Sequence, residues 1–168
     1  INAICRRIEV SKIKKIIVAG SIVLDVTMML DASGNIKPDE LFREGKVSYI
    51  DGVSMYLGGI TGNTGIGLHK MGIPVQIHSK VGGDRSGKVI LEILKDQGVD
   101  AKVAVFPEKN TSVGIAMTPP GMDKISFFCR GASQMFTPED ISSESLQQAD
   151  LFHFGYPSAM RNMFLNDG

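Results

Sequence analysis

The stretch from Ile73 to Phe106 restricts this chain more than any other. "IPVQIHSKVG" (73–82) reads as a strand. "DRSGKVILEILKDQG" (84–98) reads as an amphipathic helix, with Val89, Ile90, Ile93 and Leu94 on one face and a stop at Gly98. "AKVAVF" (101–106) is a second strand. Parallel strands need a crossover between them, and a helix of this kind supplies it. Upstream, "KIIVAGSIVLDV" is an Ile- and Val-rich run with the pattern of a buried strand of a parallel sheet. It ends near Gly20–Ser21, with Asp25 just beyond. "DLFHFG" (150–155) adds another strand. The rhythm predicts an α/β sheet with parallel pairs.

Other segments leave that rhythm. "MMLDASGNIKPDELFREG" is polar and irregular, an excursion away from the sheet. "KVSYIDGVSMYLGG" reads as one or two short strands closing on Gly58–Gly59. "TSVGIAMTPPGMDKISFFCRG" reads as a hairpin around Pro119-Pro120-Gly121. The excursion and the hairpin are expected to pair as a small second sheet, a lid formed by residues of about 30–58 and 111–130. "TGNTGIGLHKMG" is a helix candidate that stops at Gly72, and "TPEDISSESLQQA" a helical segment capped by Thr137 and begun by Pro138.

Composition removes several classes of partner. The 168 residues hold 18 basic and 18 acidic side chains, and no dense basic stripe suggests nucleic acid. Hydrophobic residues make up 43%, enough for a substantial core. No apolar run approaches the roughly 20 residues of a membrane span. The two cysteines, Cys5 and Cys129, form no C-x-x-C and are read as free thiols of a reducing, cytoplasmic compartment. His69, His78 and His153 lack metal-ligand spacing and are read as surface or packed histidines.

"VGGDRSGKV" (81–89) nearly spells the phosphate-cradling G-x-x-x-x-G-K-[ST] loop. Val89 stands where a magnesium-binding hydroxyl belongs, and Asp84 puts a carboxylate inside the cradle. The expected structure is therefore a tight strand-to-helix turn with Asp84 as the helix N-cap.

The order of motifs is more informative than any one of them. A first strand leads to Asp25, and Gly58-Gly59-x-x-x-Asn63 follows. Gly82-x-Asp84-x-x-Gly87 then opens a helix ending at "DQGVDA", and the strands "TSVGIAM" and "FFCRGAS" come next. From about Lys15 onward this arrangement resembles the N-terminal half of the ribokinase-like (PfkB) carbohydrate kinases. The resemblance implies a Rossmann-like parallel sheet carrying a β-sheet lid, with a sugar between them. It implies that Asp25 accepts hydrogen bonds from sugar hydroxyls and that Gly58 and Gly59 let the backbone approach the substrate. It also implies that Asn63 both donates to and accepts from hydroxyls and that Arg130 faces the pocket. Plainer roles stand beside these: a turn cap for Asp25, a hinge for Gly58–Gly59, a helix N-cap for Asn63 and a solvated strand end for Arg130.

The sequence departs from the family pattern at Ile60, a lysine in typical ribokinases, at Thr61 and Gly65, and in the lack of an acidic residue near Gly155. These departures weaken ribose as the substrate and leave fructose-like sugars, sugar acids and nucleosides open. ATP and Mg2+ are implied as cofactors. The family's Asp-Thr-x-Gly-Ala-Gly-Asp signature and its Asn-x-x-Glu element do not occur in the chain, so no catalytic residue is assigned. Residues 1–168 are expected to be the N-terminal portion of one ribokinase-like domain. That domain would belong to a protein of roughly twice this length, whose nucleotide-binding half lies elsewhere. The rival expectation is a non-catalytic half-length module that binds a sugar or a partner. A homodimer through the lid edges is the expected assembly.

Overall fold

The computed structural model describes residues 15–30, 42–119, 123–163 and 165. Eight strands form two four-stranded sheets. β1 (Ile16–Gly20), β4 (Val75–Gly82), β5 (Asp100–Phe106) and β8 (Leu151–Gly155) make a parallel sheet in the order β5-β4-β1-β8. β2 (Val23–Leu30), β3 (Ile50–Gly58), β6 (Val113–Met117) and β7 (Ile125–Cys129) make a mixed sheet in the order β3-β2-β6-β7. In it β2 runs antiparallel to β3 and parallel to β6, and β6 runs antiparallel to β7.

The continuous apolar run of β1 follows from its central place in the parallel sheet. Ile16 and Val18 point into one cluster with Ile77, Val81, Ile90 and Leu94, while Ile17 and Ala19 point into another with Phe136 and Met160. A strand covered on both faces has no polar side to show. Each fully buried Ile of this core contributes roughly 1.5–3 kcal/mol.

The helix predicted after β4 is α2 (Arg85–Gln97). Its Asp84 N-cap accepts from the Gly87 amide at 2.9 Å, and Gly98 ends it with φ 67°. Ile90 and Leu94 are buried, and Val89 and Ile93 pack around them.

Three expectations needed correction. The run from Lys15 stops at Gly20, as expected, but its continuation through Val26 is part of a second strand, because the chain leaves the parallel sheet at Gly20 and enters the lid at Val23. Gly20 has φ 133°, and a Cβ there would lie 1.8 Å from the Gly155 carbonyl oxygen, so only glycine makes this exit. The lid consequently includes all of β2 at its centre, and Met28–Leu30 are strand rather than the start of an excursion. The helix predicted over 61–72 is a π-helix (Thr61–Ile66) running into α1 (Gly67–Lys70), with Gly72 at φ 79° as the predicted stop. The segment after Thr137 is two short pieces, a 3-10 turn (Pro138–Asp140) and α3 (Ser143–Gln147), because Ser142 provides a second N-cap. The tip of the hairpin and most of the excursion before β3 lie outside the described residues, as does Cys5.

Cys129 is a free, exposed thiol. His78 is fully buried and hydrogen-bonded to Gln76 at 2.9 Å, a packed residue as expected. Among the described residues no helix is long and apolar enough to cross a membrane.

Candidate functional site

Asp25 lies in the interior of β2, opposite Tyr56 of β3 and Gly114 of β6. It therefore caps no turn. Its carboxylate occupies a slot between two glycines. A Cβ on Gly58 would sit 1.9 Å from Oδ2, and one on Gly114 would sit 2.3 Å from Oδ1. The slot opens into a lid cavity of about 160 Å3 lined by Asp25, Tyr56, Gly114, Lys124, Phe127 and Phe128 among others. Burial raises the Asp25 carboxyl above its ordinary pKa, and the charge of Lys124 opposes that rise. Thr27, two residues along the same face of β2, bonds the Tyr56 hydroxyl at 2.7 Å and holds that ring at the rim.

Gly59 meets the protein's own backbone. At φ 71° its missing Cβ would lie 2.4 Å from the Ser21 carbonyl oxygen. The same oxygen accepts from the Thr61 hydroxyl at 3.0 Å and the Thr61 amide at 3.3 Å. Thr61 is fully buried, so its hydroxyl gains a partner that a smaller apolar residue would not use. Gly62 and Gly65 press the π-helix onto Leu57 and Ile77, with Cβ approaches of 2.4 and 3.0 Å. The whole glycine-rich element is thus clamped to the junction of the two sheets. π-helical turns of this kind recur at functional sites.

Asn63 sits inside the π-helix, whose N-cap position belongs to Ile60. Its side chain is exposed and lines a separate cavity of about 370 Å3 with Tyr56, Lys70 and Gln97. Tyr56 borders both this cavity and the lid cavity. Arg130 is placed elsewhere again. It lines a third cavity of about 470 Å3 with Lys109 and Arg161. The structure therefore brings Asp25 and Gly58 together, keeps Gly59 as the clamp beside them, and points Asn63 and Arg130 into neighbouring cavities.

Gly114, Lys124 and Phe128 were missed by sequence reasoning. Gly114 carried a readable signal, since a glycine inside a strand marks a close approach. Lys124 and Phe128 carried none, because their places depend on how β7 pairs with β6.

The turn from Gly82 to Lys88 is filled by the protein itself. A Cβ on Gly82 would lie 2.3 Å from the Lys109 carbonyl oxygen. The Asp84 carboxylate accepts from the Thr111 amide at 2.9 Å and the Thr111 hydroxyl at 2.6 Å as well as from Gly87. Burial alone would raise the Asp84 carboxyl, but the Thr111 and Gly87 donors outweigh it and hold the pKa below its ordinary value. An occupied, anionic turn has no room for a phosphate. Among the described residues no group of three His, Cys, Asp or Glu could hold a metal ion. The residues described here therefore fit neither the phosphates of ATP at this turn nor a protein-held Mg2+.

A profile of the pfkB family carbohydrate kinases matches residues 14–166. A fructokinase of Rhizobium leguminosarum bv. trifolii is 28% identical over 105 residues, which cover 62% of this chain and 32% of that protein. A nucleoside kinase of Methanothermobacter thermautotrophicus is 27% identical over 104 residues, covering 60% of this chain and 34% of that protein. The fold is similar to that of a ribokinase from Giardia lamblia, with a TM-score of 0.69 at 19% identity, covering 83% of this chain and 44% of that one. The matched part of the chain thus spans about a third of the length of these curated relatives. With a parallel sheet, a lid built on β2 and the clamped Gly58-Gly59-x-x-x-Asn63 element between them, the chain belongs to the pfkB family of carbohydrate kinases.

Proposed function

We propose that the protein transfers the γ-phosphoryl group of ATP to a hydroxyl of a sugar or sugar-like molecule, and that this chain holds the acceptor. The observation that carries this reading is the Asp25 carboxylate, fixed between Gly58 and Gly114 and facing the lid cavity. A carboxylate accepts several hydrogen bonds at once, which suits adjacent sugar hydroxyls. The aromatic rings of Tyr56 and Phe128 give the apolar face of a sugar ring a surface to rest on. Gly59 keeps the π-helix locked against Ser21, and Asn63 and Arg130 extend the acceptor surface to either side.

ATP would supply the phosphoryl group and Mg2+ would shield its charge. We place both outside the residues described here, beyond strand β8. β8 is an edge strand that leaves Leu151 and Phe152 about half exposed, and the buried Nε2 of His153 has no hydrogen-bond partner among the described residues. Further strands of the same protein would cover all three. The two family relatives named above carry different acceptors in their names, fructose and a nucleoside, so the acceptor class rests on this chain's own cavities.

The test is phosphoryl transfer from ATP to a panel of ketoses, sugar acids and nucleosides by the intact protein and by Asp25→Asn. One acceptor should be turned over with a kcat/KM lowered at least 100-fold in the variant. An unchanged rate in the variant would remove Asp25 from the site.

A further inference from the structure

We propose that Thr27 is a positioning residue for the acceptor. Its hydroxyl holds the Tyr56 ring as a fixed wall of the lid cavity, so acceptor affinity depends on a side chain outside the cavity's lining. The inference rests on the kinase reading above and adds to it a determinant of acceptor binding.

The first observation is the register of the lid. Asp25 pairs with Tyr56 on one side and with Gly114 on the other, and Gly114 pairs in turn with Phe128. These four positions form one row across the sheet and share one face. The row has an aromatic ring at each end and the Asp25 carboxylate between them. Thr27 and Ser54 pair in the next row outward, on the same face. Leu24, Val26 and Leu57 belong to the opposite face and pack with the core. The Thr27 hydroxyl is therefore on the acceptor's side of the lid.

The second observation is the bond itself. Thr27 Oγ1 and Tyr56 Oη lie 2.7 Å apart, although the register sets Thr27 opposite Ser54. The contact is a diagonal one, within the reach of an aromatic side chain. It carries the hydroxyl end of the ring out of the Asp25 row and toward the next one. Threonine is β-branched and stiff at χ1, so its hydroxyl is a fixed anchor.

The third observation is exposure. Tyr56 is 47% exposed, so packing alone does not fix its ring. A ring ordered before the acceptor arrives spares the complex the entropy of ordering it. Tyr56 supplies a surface and no charge, so its order bears on how tightly the acceptor is held rather than on the transfer step. That separation gives Thr27 a signature, a higher acceptor KM at an unchanged kcat.

The intact protein is compared with Thr27→Val, Thr27→Ser, Tyr56→Phe and the double variant Thr27→Val/Tyr56→Phe, using the acceptor that the panel above identifies. Valine keeps the shape and the strand preference of threonine, so the variants should fold; circular dichroism checks it. Thr27→Val and Tyr56→Phe should each raise the acceptor KM roughly fivefold, the loss of one hydrogen bond, with kcat within twofold of wild type. The double variant should be no worse than either single one, because both remove the same bond. Thr27→Ser restores the hydroxyl and should stay within twofold of wild type. A rise in KM of less than threefold in Thr27→Val, a fall in kcat as large as the rise in KM, or a Thr27→Ser protein as impaired as Thr27→Val would overturn the proposal. So would effects that multiply in the double variant. A second readout needs no turnover. In protein carrying 13C-labelled tyrosine, the Tyr56 ring signal, identified by its loss in Tyr56→Phe, should shift in Thr27→Val and keep its place in Thr27→Ser. A signal that Thr27→Val leaves unmoved would overturn the positioning role whether or not any sugar is phosphorylated. A shifted signal without phosphorylation of any sugar would sustain the hold of Thr27 on Tyr56 and remove the kinase reading instead.

Discussion

Replacing Gly58 by Ala probes the slot that holds Asp25. The new Cβ would lie 1.9 Å from Asp25 Oδ2 and 2.7 Å from its Cγ, well inside the 3.0 Å that real Cβ contacts respect. The carboxylate has to move by about 1 Å, and its other oxygen lies close against Gly114, where an added Cβ would come within 2.3 Å of Oδ1. Gly58 has no positive φ, so alanine itself is not strained there. The damage therefore falls on the position of the carboxylate and not on the strand. A 1 Å misplacement of a substrate-positioning group costs on the order of 100-fold in rate, roughly 2.7 kcal/mol. Acceptor-dependent ADP release by the intact protein measures the loss as kcat/KM, and thermal unfolding measures the fold. The expected pattern is a kcat/KM about 100-fold lower with a melting temperature changed by only a few degrees. A Gly58→Ala protein within twofold of wild type in kcat/KM would refute the reasoning.

Other consequences follow from the perturbed carboxylates of Asp84 and Asp25. Asp84→Ala strips three donors of their acceptor at the start of α2 and should cost about 2–3 kcal/mol in urea denaturation. Because the folded pKa of Asp84 lies below its unfolded value of about 3.9, this stabilisation is present above that pH and fades as pH falls through the folded value. The gap between wild type and variant should close in acid. Asp25 has the opposite sign: its raised folded pKa makes the ionised form a burden that appears as pH rises through that value. Asp25→Asn should therefore melt higher than wild type near pH 7 and lose that advantage below about pH 4, while its acceptor turnover falls.

The strand–helix–strand unit from Val75 to Phe106 was legible because each of its signals is local. The apolar period of α2 is that of a helix, Asp84 caps it, and Gly98 ends it in the left-handed region. Asp25 and Gly58 were legible as a pair only through the order of motifs, and the close approach that links them is a property of the β2–β3 register. The end of β1 near Gly20–Ser21 was legible, but the change of sheet that follows was hidden, since it depends on the backbone of Gly20. Asn63, expected to bond sugar hydroxyls, lies inside the π-helix and lines the neighbouring cavity. Arg130 leaves the alternation of β7 because its own backbone is already helical, at φ −66° and ψ −34°, which turns it toward Lys109 and Arg161. Long-range packing decides each of these, and no short window of sequence contains it.

The central claim is that the acceptor is held against the lid by Asp25. A crystal structure of the intact protein with its acceptor tests it most directly. The account predicts acceptor hydroxyls within hydrogen-bond distance of the Asp25 carboxylate, with the sugar resting by Tyr56 and Phe128. An acceptor bound away from the lid cavity, with the Asp25 carboxylate making no contact to it, would contradict the account.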